Sequence, residues 1–167
     1  MNEGRIASAR AEMARRGVDA LVVTVGSDLP YLIGYKAIEN ERITALVLPV
    51  DGDPVLLVPV LEEARVESGV DMRPWSETED PIAILAALIG HASTVAIGNQ
   101  TWATFLIGLQ IQLPGARFEP AEPLMAELRM VKDQGEIASL RAAGEGTSRS
   151  RLHGHYAFCH AGHEPAS

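Results

Sequence analysis

Asp19-Ala-Leu-Val-Val-Thr-Val-Gly-Ser-Asp-Leu-Pro-Tyr-Leu-Ile-Gly-Tyr35 is the stretch that decides the fold of this chain. In its left half, Leu21, Val22 and Val23 form an unbroken run rich in β-branched residues, the pattern of a strand buried on both faces. The run stops at Gly26. Ser27 or Asp28 is then expected to accept a hydrogen bond from the free N–H groups of a short helix, with Pro30 in its first turn, where a missing donor costs little. Gly34 ends that helix beside Tyr35.

Working outward, residues 4 to 16 place Ile6, Ala9 and Met13 at helical spacing, with Arg5, Arg10, Glu12, Arg15 and Arg16 on the other side and Gly17 as C-cap. Downstream, a polar turn around Glu39-Asn40-Glu41 leads to the run from Ile43 to Leu48. Asp51-Gly52 then separates it from Val55 to Val58. An Asp-Gly pair between two apolar runs signals a hairpin, because Gly supplies positive φ at little cost, so these two strands are expected to be antiparallel neighbours. A short helix is expected from Leu61 to Glu67, and a strand from Val70 to Trp75.

Asp80-Pro81 reads as an N-cap followed by proline in the first helical position. The helix it opens repeats Ile82, Leu85, Ala86 and Ile89 on one side and stops at Gly90. Thr94 to Ile97 is a further strand. Thr101 is expected to cap a helix whose inner stripe is Trp102, Phe105, Leu106 and Leu109, broken by Leu113-Pro114-Gly115. Ala116 to Glu119 reads as the last strand, and Pro123 begins a helix with Leu124 and Leu128 inward. Asp133-Gln-Gly-Glu136 resembles a capping box opening another helix. Strands and helices alternate, with one hairpin inserted. The expected fold is therefore a single α/β domain, a mixed sheet with helices on both faces.

The chain has 167 residues, 47% of them hydrophobic, and a formal charge of −8. That size suits one domain with a real core. A phosphate-binding surface needs a basic patch, so nucleic acid is not an expected partner. Neither a signal peptide nor a membrane span is visible, and a single Cys159 leaves no internal disulfide, which together give a cytoplasmic reading.

From about residue 146 the character changes. The stretch from Gly146 to Ser167 holds four of the five His, the only Cys and no periodic apolar face. His153, His155, Cys159, His160 and His163 carry the right donor atoms for zinc. Their spacing matches no closed-site pattern, however, and Glu164 is the only nearby carboxylate. The plainer reading is a disordered tail, of the kind a frameshift or truncation would append to a domain. No metal or cofactor is expected in the chain itself.

Other candidate groups have plain structural readings. Asp28 reads as a helix cap, Tyr31 and Tyr35 as core aromatics with a hydroxyl reaching water, and Trp75 and Trp102 as packing residues, Trp102 more firmly. Ser27 has no His and Asp beside it in any recognisable pattern, and no Gly-x-Ser-x-Gly elbow or glycine-rich phosphate loop occurs. No catalytic residue is assigned.

Taken together, Gly17-Val-Asp-Ala-Leu-Val-Val-Thr24, Ser27-Asp-Leu-Pro-Tyr-Leu-Ile-Gly-Tyr35, Glu41-Arg42 before Ala45-Leu-Val-Leu-Pro49, Trp75-Ser-Glu-Thr-Glu-Asp-Pro81 and Glu127-Leu-Arg-Met-Val-Lys-Asp133 before Glu136-Ile137 form an ordered series. That series resembles the N-terminal domain of the creatinase and prolidase family, the pita-bread metallopeptidases that include Xaa-Pro dipeptidases and aminopeptidase P. The resemblance covers about residues 4 to 145.

It implies a domain that dimerises, as a homodimer or with a subunit of the same family, and roofs a neighbouring active site. Catalysis in the family belongs to a C-terminal domain in which two Asp, one His and two Glu hold two divalent metals, Mn, Co or Zn. No Asp follows Asp133, so that site cannot be built from the tail. Residues 1–132 are thus expected to be the N-terminal-like domain, 133–145 the start of a helix leading to an absent catalytic domain, and 146–167 the tail. Tyr35 and Arg42 are the implied substrate-edge candidates. The expected function is a non-catalytic accessory domain of a Xaa-Pro peptidase-like enzyme. The alternative is a stand-alone interaction module that dimerises with a full-length relative.

Overall fold

Asn2, which carried no sequence signal, starts the first helix: its Oδ1 accepts from the amide of Arg5 at 3.1 Å. Helix α1 (Glu3–Arg16) buries Ile6, Ala9 and Met13 and ends at Gly17, whose φ of 68° is the left-handed cap expected there. This computed structural model describes residues 2–130, 137–138 and 141–143. The capping box at 133–136 and the tail, with its candidate metal ligands, lie outside the described residues.

The strands are β1 (Ala20–Val23), β2 (Ala45–Pro49), β3 (Val55–Pro59), β4 (Asp71–Trp75), β5 (Thr94–Ile97) and β6 (Arg117–Pro120). The remaining helices are α2 (Asp28–Ile33), α3 (Val60–Glu63), α4 (Pro81–Ile89), α5 (Ala103–Gln112) and α6 (Glu122–Met130). The strands form one sheet in the order β4-β3-β2-β1-β5-β6. β2 pairs antiparallel with both its neighbours, and the other pairings are parallel. The Asp51-Gly52 hairpin joins β2 to β3 as expected, with Gly52 at φ 114°.

β1 sits near the middle, with Leu21 opposite Leu48 on one side and Ala96 on the other. All four of its residues are buried, which is why its sequence is a continuous apolar run and not an alternating one. Leu21, Val23, Leu46, Leu48 and Ala96 face α1, α2 and α6, while Ala20, Val22, Val47, Val95 and Ile97 face α4 and α5. The period of two along each strand thus builds two cores, one under each helical layer. Residues up to Leu128 make one compact unit. The described residues after it belong to a second unit and are helical at 137–138 and 141–143.

Of the N-cap expectations at α2, α5 and α4, two fail and one holds. At α2, Ser27 has helical backbone and makes no side-chain cap bond, and its carbonyl instead accepts from the amide of Tyr31 at 3.2 Å. At α5 the residue in the cap position is Trp102, not Thr101. Standing outside the first turn, Trp102 misses the inward stripe and is 38% exposed, its ring stacked on Phe105 at 5.8 Å. At α4, Asp80 Oδ1 accepts from the amides of Ile82 and Ala83 at 2.9 and 3.2 Å, with Pro81 in the first turn.

On the solvent side of α1, Glu12 Oε2 accepts from Arg15 Nε at 2.8 Å and Oε1 from Arg16 Nε at 2.5 Å. These two cations, Arg15 foremost, lower the Glu12 carboxyl from 4.5 to about 2. A carboxyl with a depressed folded-state pKa stabilises the fold above its unfolded value and loses that contribution as the pH falls toward the folded value. Between about pH 5 and about pH 2, denaturation midpoints of the native chain are therefore expected to fall more steeply than those of Glu12→Gln. Parallel acid limbs for the two proteins would contradict this.

Candidate functional site

In an open α/β sheet the first place to look is the crevice beyond the carboxyl ends of parallel strands, where neighbouring connections leave on opposite faces. Here that point lies between β1, which runs on to α2 in one layer, and β5, which runs on to α5 in the other. It is filled by the protein itself. Thr24 Oγ1 lies 3.2 Å from Thr101 Oγ1, and the Gln100 side chain occupies the space beside Gly26, where a Cβ would stand 1.6 Å from Oε1. Gly26 has φ 115°, so Gly26→Ala meets both a clash and a disfavoured backbone.

Gly26→Ala is expected to cost roughly 1–3 kcal/mol. Adding Gln100→Ala should recover only the part due to contact, which a denaturation double-mutant cycle measures.

Tyr35 and Arg42, the substrate-edge candidates, occupy different surroundings. Tyr35 follows the left-handed Gly34 at the end of α2 and is 8% exposed. It is one of the residues lining a cavity of about 390 Å³, with Gly34, Lys36, Ile38, Glu62, Arg65 and Glu67. Burial, then the negative charge of Glu62, raises the phenol above its ordinary value, and Arg65 partly opposes this.

Arg42 does not line that cavity. Its backbone amide donates to Asn40 Oδ1 at 2.8 Å, its Nη1 reaches Glu41 Oε1 at 3.0 Å, and its Nε bonds Glu77 Oε1. The Glu77 bond and charge raise the guanidinium further above its ordinary value. Arg42 thus ties the segment before β2 to the loop between β4 and α4.

The other singled-out residues have structural work. Tyr31 does not send its hydroxyl to water: it donates to the carbonyl of Leu128 at 3.0 Å, and the Arg5 guanidinium lies 4.2 Å over the ring. Trp75 is buried and donates from Nε1 to the carbonyl of Ile43 at 2.9 Å. His91 is the one histidine among the described residues and is exposed. No group of three or more His, Cys, Asp or Glu among the described residues stands placed to hold a metal ion. The paired metals implied by the resemblance do not fit these residues.

Two side chains with site-forming roles gave no sequence signal. Asp19 Oδ2 accepts from the amides of Ser93 and Thr94 at 2.8 and 2.9 Å, clamping β1 to the start of β5 across 74 residues of sequence. Glu62 Oε2 is buried without a hydrogen-bond partner among the described residues, and the Arg65 guanidinium pairs with it at 3.6 Å. The Asp19 contact does not follow from local pattern, because its partners are distant in sequence.

Comparison with known proteins agrees with this geometry. The family model described as Creatinase/Prolidase N-terminal domain matches residues 5–131. The probable dipeptidase PepE of Mycobacterium tuberculosis is 38% identical over 152 residues, which are 87% of this chain and 40% of that protein. The chain therefore spans about 40% of the length of the curated relatives it matches.

Among solved structures, dipeptidase PepE from Mycobacterium ulcerans is 37% identical with a TM-score of 0.83, covering 90% of this chain and 42% of that one. For the fold alone, the Creatinase/Prolidase N-terminal domain of an X-Pro dipeptidase from Streptococcus pyogenes superposes with a TM-score of 0.67 at 23% identity, over 76% of this chain and 99% of that one. Mixed sheet, helical layers and the family match from Arg5 onward coincide: this chain belongs to the creatinase/prolidase N-terminal domain family.

Proposed function

We propose that this chain acts as a non-catalytic N-terminal accessory and dimerisation domain of a Xaa-Pro dipeptidase-like metallopeptidase. The observation that carries the reading is the family match over residues 5–131, combined with dipeptidase relatives of which the chain covers about 40%. The domain proper is residues 1–132, residues 133–145 start the helix toward a catalytic domain, and residues 146–167 form an atypical tail. Hydrolysis, with its two divalent cations, would belong to that catalytic domain, and the protein would work in the cytoplasm. In the assembled enzyme, Tyr35 and Arg42 stand at the edge of the substrate cleft.

Grafting residues 1–132 in place of the corresponding domain of an active dipeptidase tests this. The hybrid is expected to dimerise and hydrolyse Xaa-Pro dipeptides, with Arg42→Ala or Tyr35→Phe raising KM more than it lowers kcat. A folded hybrid whose KM ignores both substitutions would remove the substrate-edge role.

The second reading, a stand-alone module that captures a full-length relative, is favoured by one observation: α5 carries no charged residue and leaves Ile107 and Ile111 55% and 73% exposed. Light scattering separates the two readings. A chain that stays monomeric with and without the relative would exclude the module.

A further inference from the structure

The two helical layers of the domain differ in charge. On one side of the sheet, α1 carries Arg10, Glu12, Arg15 and Arg16, and α6 carries Glu122, Glu127 and Arg129. On the other, neither the nine residues of α4 nor the ten of α5 include a charged side chain. That layer is nonetheless open to solvent: Ala83, Ala87 and Ala103 are exposed, with Ile107 and Ile111 at 55% and 73%. A surface helix ordinarily turns charged residues to water, so a whole layer without them marks a face that is covered in use.

Ala103, Ile107 and Ile111 recur every four residues and form one stripe along α5, on the side away from the buried Leu109. Ala83 and Ala87 have the same spacing on α4, and Gly108 against Ile82 seats the two helices side by side. Large exposed side chains on one helix and small ones on the other give a relief that a two-fold axis can mate with itself.

The occupant that fits is a second copy of this chain. Both ends of the sheet are blunted against strand addition, β4 by Asp71, Arg73 and Pro74 and β6 by Arg117, Glu119 and Pro120. Leu124 and Met125 of α6 pack into the core under α1 and α2, so the chain leaves this unit on the charged side, where a following catalytic domain would attach. Each chain also carries a formal charge of −8, so two copies repel wherever their charged surfaces meet. The α4 and α5 layer lets them approach without that opposition.

We propose that α4 and α5 form a dimer interface, packed against the same two helices of a second copy about a two-fold axis. The inference rests on the dimerisation part of the accessory-domain reading and names the face that carries it.

Sedimentation of the full chain over a wide concentration range, with methyl NMR, tests it. Reversible dimerisation is expected, tightening as salt rises, because screening weakens the repulsion between copies and no ion pair across the interface is lost. In a mixture of labelled and unlabelled chains, the Ile107 and Ile111 methyls should show contacts to α4 or α5 of the other copy. Ile111→Lys places a charge in the apolar face and is expected to weaken the dimer about tenfold or more, although it lowers the net charge of the chain. Ile107→Gln, an uncharged change, should weaken it less. Ser8→Lys makes the same change in charge at an exposed position of α1 and should leave the dimer intact. Unchanged amide shifts in β1 and β5 show that the variants fold.

A dimer that ignores both isoleucine substitutions, weakens equally with Ser8→Lys or loosens with salt would overturn this interface while keeping dimerisation. A chain that is monomeric at every concentration would also overturn it. The hybrid enzyme then decides separately, since a dimeric hybrid keeps the accessory-domain reading and a monomeric one removes its dimerisation part.

Discussion

Trp75→Ala is expected to lower the unfolding free energy by about 3–5 kcal/mol, read as a fall in urea midpoint. Trp75 ends β4 with 6% of its surface exposed, packed in the core that also holds Leu57, Ile43 and Leu85 of α4. Truncation removes that burial and takes the Nε1 donor from the carbonyl of Ile43, 2.9 Å away. Trp75→Phe keeps much of the apolar area and loses the bond, so its cost should be about 1–3 kcal/mol. Trp102→Ala provides the contrast: that ring is 38% exposed, stacks on Phe105 and donates to Glu39 Oε1 at 3.4 Å on the exposed side, which predicts a loss of about 1 kcal/mol. Equal losses at the two tryptophans would mean that α5 packs inward from Trp102 onward, as its sequence first suggested.

Asp19→Ala is the second large effect, expected at about 2–3 kcal/mol because bonds to a charged acceptor are the stronger kind. It leaves the amides of Ser93 and Thr94 without their acceptor, while the backbone bonds from Asp19 to Thr94 and from Val50 to Asp19 remain. Asp19→Asn keeps one acceptor oxygen in place and should cost less than half as much. Hydrogen exchange locates the effect. Protection at Ser93 and Thr94 should drop in the alanine variant well before protection in β2 does. Uniform loss along the whole sheet would instead mean that Asp19 acts through global stability.

What could be read in advance follows the range of the forces involved. The burial of β1 on both faces, the Asp51-Gly52 hairpin and the Asp80 cap are written within a few residues of where they act, and each appears where expected. Leu21 and Val22 point to opposite cores, yet both had to be apolar, so the run itself revealed the central strand. The failures are of two kinds. Ser27 and Thr101 are good capping residues by type, but neither side chain caps its helix: Ser27 stands in the cap position of α2 without making the side-chain bond, and Thr101 lies one residue before the cap of α5 and turns to Thr24.

The second kind depends on distant partners. The Tyr31 hydroxyl finds Leu128 across 97 positions, and the Asp19 carboxylate finds Ser93 across 74, so neither has a local signature.

Exposure tells a related story at α5. The helix is apolar on nearly all sides, but only Leu109 is buried, so the inward stripe read from spacing overestimates its core contribution. Gly108 packs against Ile82 of α4, where a Cβ would come within 3.1 Å, so this close approach seats α5 against α4.

The central claim is that this domain does not itself catalyse peptide hydrolysis. It is tested most directly by incubating the purified chain with Xaa-Pro dipeptides in the presence of manganese, cobalt or zinc and measuring free proline. The account predicts no turnover above the metal-only blank. Turnover that a chelator abolishes and re-added metal restores would contradict it.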